Sequence, residues 1–110
     1  MFSKNKKFSH ISPADAKQRL TSGDNVFLID VRTTPEYAEN HIPNSISIPL
    51  TNLKSNFSEI IKTTDAEIIV YCQSGMRAEK ACIELANMGY TNIKNLGGIA
   101  SWPYETTKGR

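Results

Sequence analysis

The chain has 110 residues, of which 39% are hydrophobic and 22% are charged, so its composition is that of an ordinary globular domain. Thirteen lysines and arginines nearly balance eleven acidic residues, and the formal net charge is +2. This balance lacks the basic face that nucleic-acid binding requires, and no apolar stretch approaches the ~20 residues of a membrane-spanning helix. We therefore expect one domain that has neither nucleic acid nor a membrane as a partner.

The two cysteines, Cys72 and Cys82, form neither the dense disulfide framework of a small secreted protein nor a paired-ligand zinc pattern. Residues 1–10 contain three lysines but no apolar run, so they lack the hydrophobic region of a signal peptide. These features predict a cytoplasmic protein without a metal or another cofactor. We expect a flexible segment over residues 1–8, a folded domain over 9–104 and a flexible tail over 105–110.

Two pairs of residues predict helix starts. In each pair, a hydroxyl side chain that can accept a free helix N–H precedes a proline, whose missing N–H costs nothing at the first helical position. The pairs are Ser12-Pro13 and Thr34-Pro35. Their helices are predicted to end near residue 23 and near Asn40.

Short apolar runs between turn signals predict the strands of a buried sheet. Continuous runs occupy residues 26–29 and 68–71, and shorter strands are expected at 45–48 and 92–96. Apolar residues at helical spacing predict two further helices; they are Leu53, Phe57, Ile60 and Ile61, then Ala78, Ala81, Cys82, Leu85, Ala86 and Gly89. The alternation predicts an α/β domain with a mainly parallel central sheet of about five short strands and helices on both faces.

Cys72 stands directly after a predicted buried strand and just before a predicted helix. A tight turn at this place points several backbone N–H groups at one position, and the helix adds the positive end of its dipole. This field favours the thiolate, which is the reactive form of cysteine. Gly75 can supply the backbone freedom that the turn needs. Cys72 is therefore the candidate nucleophile.

Arg77 closes this loop and can place a planar cation over the thiolate or over an anionic substrate. His10 and His41 lie far from Cys72 in the sequence, and activation by the loop makes a Cys-His pair unnecessary.

Four separated signatures resemble, in order and spacing, one module of the rhodanese family, from about Phe8 to Trp102. They are Leu28-Ile29-Asp30-Val31-Arg32, Pro35-Glu36-Tyr37 with His41-Ile42-Pro43-Asn44-Ser45, Cys72-Gln73-Ser74-Gly75-Met76-Arg77, and Gly97-Gly98-Ile99 with Trp102. The family usually has glycine at the position of Asn44, and asparagine also tolerates a positive φ.

The resemblance implies a sulfurtransferase in which Cys72 takes the outer sulfur of a donor such as thiosulfate and carries it as a persulfide. The acceptor would be cyanide, a thiol or a partner protein, and sulfur relay and detoxification both stay open. The residues implied to bind the persulfide and the donor are Gln73, Ser74, Gly75, Met76 and Arg77. Two half-reactions on one sulfur are covalent catalysis and predict ping-pong kinetics.

The main alternative is a cysteine-dependent phosphatase or arsenate reductase, whose loop has five residues between Cys and Arg. Only four residues separate Cys72 from Arg77, which gives a smaller ring of N–H groups. A phosphatase also needs a general acid, and Asp30 is the only carboxylate expected nearby. A non-catalytic rhodanese-like interaction module is a third possibility, against which the presence of Cys72 argues.

Several other residues have competing interpretations. Asp30 and Arg32 either contact substrate or support the site; we favour support, with Asp30 accepting backbone N–H groups and Arg32 pairing with Glu36. Cys82 is predicted to pack in the core rather than to resolve the persulfide. His41 is expected to form hydrogen bonds in a loop, and Trp102 to cover the core near the C-terminus.

Overall fold

A computed structural model describes residues 7–109 and contains four α-helices and five strands over this range. The strands are β1 Ser9–His10, β2 Val26–Asp30, β3 Ile46–Ser47, β4 Glu67–Cys72 and β5 Ile93–Gly98. The helices are α1 Pro13–Leu20, α2 Thr34–Glu39, α3 Leu53–Ile60 and α4 Met76–Asn87. The predicted α/β fold is confirmed.

The strands form one sheet in the order β1-β5-β4-β2-β3, and every pairing within it is parallel. Its central strand β4 pairs with β2 from Val26↔Glu67 to Asp30↔Tyr71. On its other side β4 pairs with β5, where an irregularity at Val70/Tyr71 shifts the register so that Cys72 faces Gly98. The carboxyl ends of β2, β4 and β5 therefore lie side by side.

Apolar residues of the sheet pack against helices on both faces, as predicted. The residues that α3 and α4 bury against one face are Leu53, Phe57, Ala78, Ala81, Cys82 and Leu85. On the opposite face Ala16 of α1 packs with Leu28, Ile69 and Tyr71. The strands are thus buried on both sides, which explains their continuous apolar runs.

The helix caps agree with the sequence at one start and differ by one residue at the other. Ser12 caps α1, since its Oγ accepts the N–H of Asp15 at 3.1 Å. The cap of α2 is Thr33 rather than Thr34: Thr33 Oγ1 accepts the N–H of Glu36 at 3.4 Å, and Glu36 Oε1 accepts the N–H of Thr33 at 2.9 Å. The reciprocal partner three residues later decides the position of the cap.

The ends of the described chain lie against the domain. Phe8 packs in the core, and β1 adds a short strand, not predicted from the sequence, beside β5. Residues 1–6 and 110 of the two predicted flexible segments lie outside the described residues. Near the other end, His41 and Thr107 form an antiparallel bridge, and the N–H of Gly109 donates to the carbonyl of Ala38 at 2.8 Å. None of the helices described is long and apolar enough to cross a bilayer.

Candidate active site

Cys72 is the last residue of β4, and its thiol lies beneath the loop that leads into α4. The side chain is buried, whereas Gln73 and Ser74 directly after it are exposed. Two backbone groups donate to Cys72 Sγ: the N–H of Gly75 at 3.0 Å and the N–H of Ala78 at 3.3 Å. A negative charge on this sulfur would therefore be stabilised by oriented N–H groups.

Both donors belong to the turn that begins α4. Gly75 is the N-cap and has φ 111°, a left-handed conformation that glycine adopts without the penalty of a Cβ. The first N–H groups of a helix have no acceptor inside that helix, so they are free to bind an anion. The conformation of Gly75 aims them at Cys72.

Strand β5 supports the loop from behind. A Cβ atom added to Gly98 would lie 2.8 Å from the Cα of Ser74 and would overlap the carbonyl of Gln73. The N–H of Ala100 donates to this same carbonyl at 3.3 Å. Gly98 therefore permits the close approach of β5 to the loop, a role that its neighbours in the sequence do not indicate.

Arg32 and Asp30 form a buried ion pair behind the loop. Arg32 donates to Asp30 from its backbone N–H at 2.9 Å and from Nη2 at 2.7 Å, and both side chains are almost inaccessible. Asp30 thus accepts a backbone N–H, as predicted. Although burial acts to lower the pKa of Arg32, its hydrogen bonds to Asp30 raise it, so this guanidinium stays charged.

The same guanidinium connects the pair to the active loop. Arg32 Nη1 donates to Oε1 of Gln73 at 3.3 Å, and Nη2 donates to the carbonyl of Asn40 at 2.6 Å. The predicted pairing of Arg32 with Glu36 is wrong, because the guanidinium of Arg32 pairs with Asp30 through Nε and Nη2, while Glu36 pairs with Arg77. Arg32 therefore braces Gln73 from inside the domain.

Glu36 pairs instead with Arg77. Nη1 of Arg77 lies 2.8 Å from Oε1, and Nη2 lies 3.1 Å from Oε2, so the contact is bidentate. The hydrogen bonds from Arg77 lower the pKa of Glu36 to about 2, and the same bonds raise the pKa of Arg77. Both side chains are about one-third exposed. The predicted loop cation is present beside the site, but a carboxylate neutralises it.

A shallow groove of about 480 Å³ runs beside the loop, between the start of α4 and the end of β5. Its lining residues are His10, Ser74, Gly75, Met76, Glu79, Lys80, Asn95 and Gly97. Met76 is a lining residue of this groove and is 74% exposed. Of the predicted loop residues, Ser74, Gly75 and Met76 thus line this groove, while Arg77 contacts Glu36 of α2.

Three further predictions concern residues outside the loop. Cys82 is fully buried in the core on α4, which confirms the packing role, and this burial raises its pKa to about 12. The ring of His41 stacks on Tyr37 at 3.7 Å, and its Nδ1 is 2.8 Å from the Tyr37 carbonyl. Trp102 packs on the core beside α1. Within residues 7–109, no three His, Cys, Asp or Glu side chains cluster around a possible metal position.

Glu36 and Gly98 are the site residues whose roles the sequence did not predict. Forty-one positions separate Glu36 from Arg77, so no local pattern indicates their contact. The close approach at Gly98 depends on the order of β5 and β4 in the sheet. For Glu36 one signal existed: glutamate three residues after Thr33 indicates a capping box, which fixes the direction of its carboxylate.

The chain is similar to known proteins over most of its length. A family model described as "Rhodanese-like domain" matches residues 12–104. A sulfurtransferase from Allochromatium vinosum is 37% identical over 95 residues, which are 86% of this chain and 87% of the relative. The thiosulfate sulfurtransferase PspE of Escherichia coli is 32% identical over 81 residues, which are 74% of this chain and 78% of the relative.

A solved structure agrees with these sequence matches. The human single-domain sulfurtransferase TSTD1 superimposes with a TM-score of 0.74 at 27% identity, covering 84% of this chain and 92% of that one. The parallel sheet, the cysteine loop at its carboxyl edge and the matched length all agree with one assignment. The chain belongs to the family of rhodanese-like sulfurtransferases.

Proposed function

We propose that this protein transfers a sulfane sulfur from a donor such as thiosulfate, through a persulfide on Cys72, to a thiophilic acceptor. The Cys72 thiolate attacks the outer sulfur of thiosulfate; a new S–S bond forms as the S–S bond of thiosulfate breaks, and sulfite leaves with the bonding electron pair. A thiol, cyanide or a partner protein then takes the outer sulfur, and the thiolate returns. Each half-reaction replaces one bond to sulfur by another.

The observation that carries this proposal is the pair of backbone N–H groups on Cys72 Sγ. Gly75 and Ala78 donate at 3.0 and 3.3 Å from the turn that opens α4. Because these donors belong to the backbone and need no proton transfer, they stabilise both the thiolate that attacks the donor and the thiolate that returns when the sulfur is passed on. The outer sulfur of a persulfide would lie a further ~2 Å from Sγ, the length of an S–S bond.

The position of the nearby carboxylates favours sulfur transfer over phosphate chemistry. A phosphatase needs a protonated carboxyl group that can reach the leaving oxygen. Asp30 is buried in its pair with Arg32 and cannot approach a leaving group at the loop. Glu36 is partly exposed beside Arg77, but its pKa of about 2 keeps it ionised at neutral pH. Neither residue can serve as the general acid.

The proposal is tested by loading the protein with thiosulfate. We expect intact-mass analysis to show one added sulfur that cyanide removes as thiocyanate. Cys72→Ser is expected to lose both signals, because a hydroxyl group forms no persulfide. Cys82→Ser is the matched control: its thiol is buried in the core, so loading should persist in protein that remains folded.

Two results would overturn this function. One is an unchanged mass of the wild-type protein after treatment with thiosulfate and with other sulfane donors. The other is turnover of an aryl phosphate that disappears in Cys72→Ser, since the six-residue loop should not enclose a phosphoryl group. Transfer from the loaded protein to cyanide, to a small thiol and to proteins of a cell extract then ranks the acceptors.

A further inference from the structure

We propose that Glu36 is a specificity-determining residue for the donor: its carboxylate occupies the fork of Arg77, so that an anionic donor must compete with Glu36 for this guanidinium. The inference rests on the proposed function, because it concerns the donor half-reaction at Cys72. It assigns Glu36 a role in setting how strongly donors of different charge bind.

Glu36 contacts the edge of the Arg77 guanidinium that carries Nη1 and Nη2, the two nitrogens that an oxyanion can also bind. Two parallel bonds of 2.8 and 3.1 Å join Nη1 and Nη2 to the two carboxylate oxygens. Bidentate pairs of this kind combine geometric specificity with charge. A donor anion that needs the same two nitrogens can bind only when they are released from Glu36.

Glu36 is held in place independently of Arg77. Its Oε1 accepts the backbone N–H of Thr33 at 2.9 Å and the hydroxyl of Thr33 at 3.0 Å, as part of the cap of α2. Arg77 is on a different helix, at the second position of α4, and about one-third of its side chain is exposed. Exchange of partners therefore moves the long arginine side chain, while the carboxylate stays fixed.

The ion pair changes the charge that a donor meets at the loop. Arg77 alone would present one positive charge beside Cys72, whereas the pair with Glu36 is neutral overall. The electrostatic work of bringing an anion to this position scales with the charge of that anion. The carboxylate should therefore weaken binding of a dianion more than binding of a monoanion of the same chemistry.

Glu36→Gln removes the charge and keeps the cap. Glutamine can still accept the N–H of Thr33 in a capping box, and it leaves the Arg77 fork without an anionic partner. We expect the KM for thiosulfate, a dianion, to fall about twofold to fivefold, in line with the strength of partly exposed ion pairs, with kcat almost unchanged. For methanethiosulfonate, a monoanion that loads the same sulfur and releases a sulfinate, the decrease should be clearly smaller.

Glu39→Gln is the matched control, since it removes the same charge from an exposed position of α2. It should leave both KM values near those of the wild type at the same ionic strength. A second comparison places Glu36→Gln in an Arg77→Gln background. If competition for Arg77 is the mechanism, the gain in thiosulfate affinity disappears there.

The results separate this inference from the function on which it rests. If wild-type protein acquires no sulfur from either donor, the proposed function fails. If the wild type is loaded but Glu36→Gln matches Glu39→Gln, or improves both donors equally, the role of Glu36 is wrong. The role of Glu36 is also wrong if Glu36→Gln lowers the KM for thiosulfate by the same factor in the Arg77→Gln background. A melting temperature of Glu36→Gln close to that of the wild type excludes a loss of α2 as the cause of any change.

Discussion

Gly98 shows how the absence of a side chain can determine the position of the active loop. Its backbone is extended, with φ −119° and ψ 144°, so any residue could adopt this conformation. What excludes a side chain is the loop itself, since a Cβ would overlap the Gln73 carbonyl and lie 2.8 Å from the Cα of Ser74. Both contacts are backbone atoms, which cannot rotate away.

Gly98→Ala should therefore displace the loop that holds Cys72. We expect sulfur transfer to fall at least about tenfold, because a shift of ~1 Å in a positioned catalytic group has effects of this order or greater. The added methyl group should also lower the free energy of unfolding by about 1–3 kcal/mol through overpacking. Steady-state kinetics and urea unfolding of the same preparation measure the two effects.

Gly97→Ala provides the matched control. Gly97 has φ 94°, so alanine is strained there, but a Cβ at Gly97 meets no atom within 4 Å. We expect a similar loss of stability, about 1 kcal/mol or more, with donor kinetics much closer to the wild type. If both variants lose activity in proportion to stability, displacement of the loop by Gly98→Ala is not the cause.

The role of a residue was predictable where the residues that determine its conformation lie within a few positions along the chain. Asn44 has φ 71°, in agreement with its place where the family usually has glycine. Gly75 has the left-handed backbone that the turn after Cys72 required. The partners of Arg32 and Arg77 were not predictable in this way. Glu36 was the carboxylate predicted for Arg32, but Arg32 pairs with Asp30, and Glu36 pairs with Arg77, which is forty-one positions away along the chain.

At the scale of elements, Glu67 links one helix to two strands. It lies at the start of β4 and accepts hydrogen bonds from Arg19 of α1 at 2.6 and 2.9 Å and from Lys94 of β5 at 3.3 Å. The bonds from Arg19, and secondly those from Lys94, lower the pKa of Glu67 to about 2 against its ordinary value of 4.5. The ionised carboxylate is therefore favoured in the folded protein.

Glu67→Gln should make the free energy of unfolding less dependent on pH in the acidic range. A carboxylate with a lowered pKa in the folded state stabilises fully above its unfolded pKa, and this stabilisation is lost as the pH falls from about 4.5 toward 2. At pH 7 we expect the variant to be less stable by about 1 kcal/mol, because the partners are partly exposed. The difference should shrink steadily below pH 4.5, as measured by urea unfolding at each pH.

Asp65→Asn is the control for this effect, since Asp65 is an exposed carboxylate two residues before Glu67. Removal of its charge should change the free energy of unfolding at pH 7 by only a few tenths of a kcal/mol. A constant difference between Glu67→Gln and the wild type from pH 7 to pH 3 would contradict an electrostatic link between α1 and the sheet.

The elements were predictable in proportion to the strength of their local patterns. The apolar runs of β2 and β4 are buried on both faces, and the predicted ranges fall within the observed strands. β1 was missed because its two residues, Ser9 and His10, carry no strand pattern. They are extended only because they pair with Lys94 and Asn95 of β5. Such an element is created by a contact more than eighty positions away.

At the scale of the whole molecule, strand order assembles the site. Asp30, Cys72 and Gly98 each end a strand, and the order β5-β4-β2 makes these three ends neighbours. Ligands of parallel sheets bind where the strands end, but which ends become neighbours depends on how the crossovers pack. The ion pair behind Gln73 and the glycine contact with the loop both follow from this order.

Residues near the C-terminus form hydrogen bonds with α2 and with His41 just after it. Thr107 and His41 exchange two backbone hydrogen bonds of 2.8 Å, and Gly109 donates to the carbonyl of Ala38 in α2. The sequence predicted a flexible tail over residues 105–110. Removal of residues 106–110 decides between a tail that is loosely attached and one that holds α2.

We expect this truncation to lower the free energy of unfolding by about 1–2 kcal/mol, since each exposed backbone hydrogen bond contributes little beyond the bond to water that replaces it. The melting temperature should fall by roughly 5–10 °C for a domain of this size. The His41 amide should exchange its hydrogen faster than in the full chain. Thr107→Pro, which removes one donor without shortening the chain, should give part of each effect. Because α2 also carries Glu36, truncation should alter the KM for thiosulfate more than kcat. If the melting temperature and the hydrogen exchange of the His41 amide do not change, the result supports the flexible tail instead.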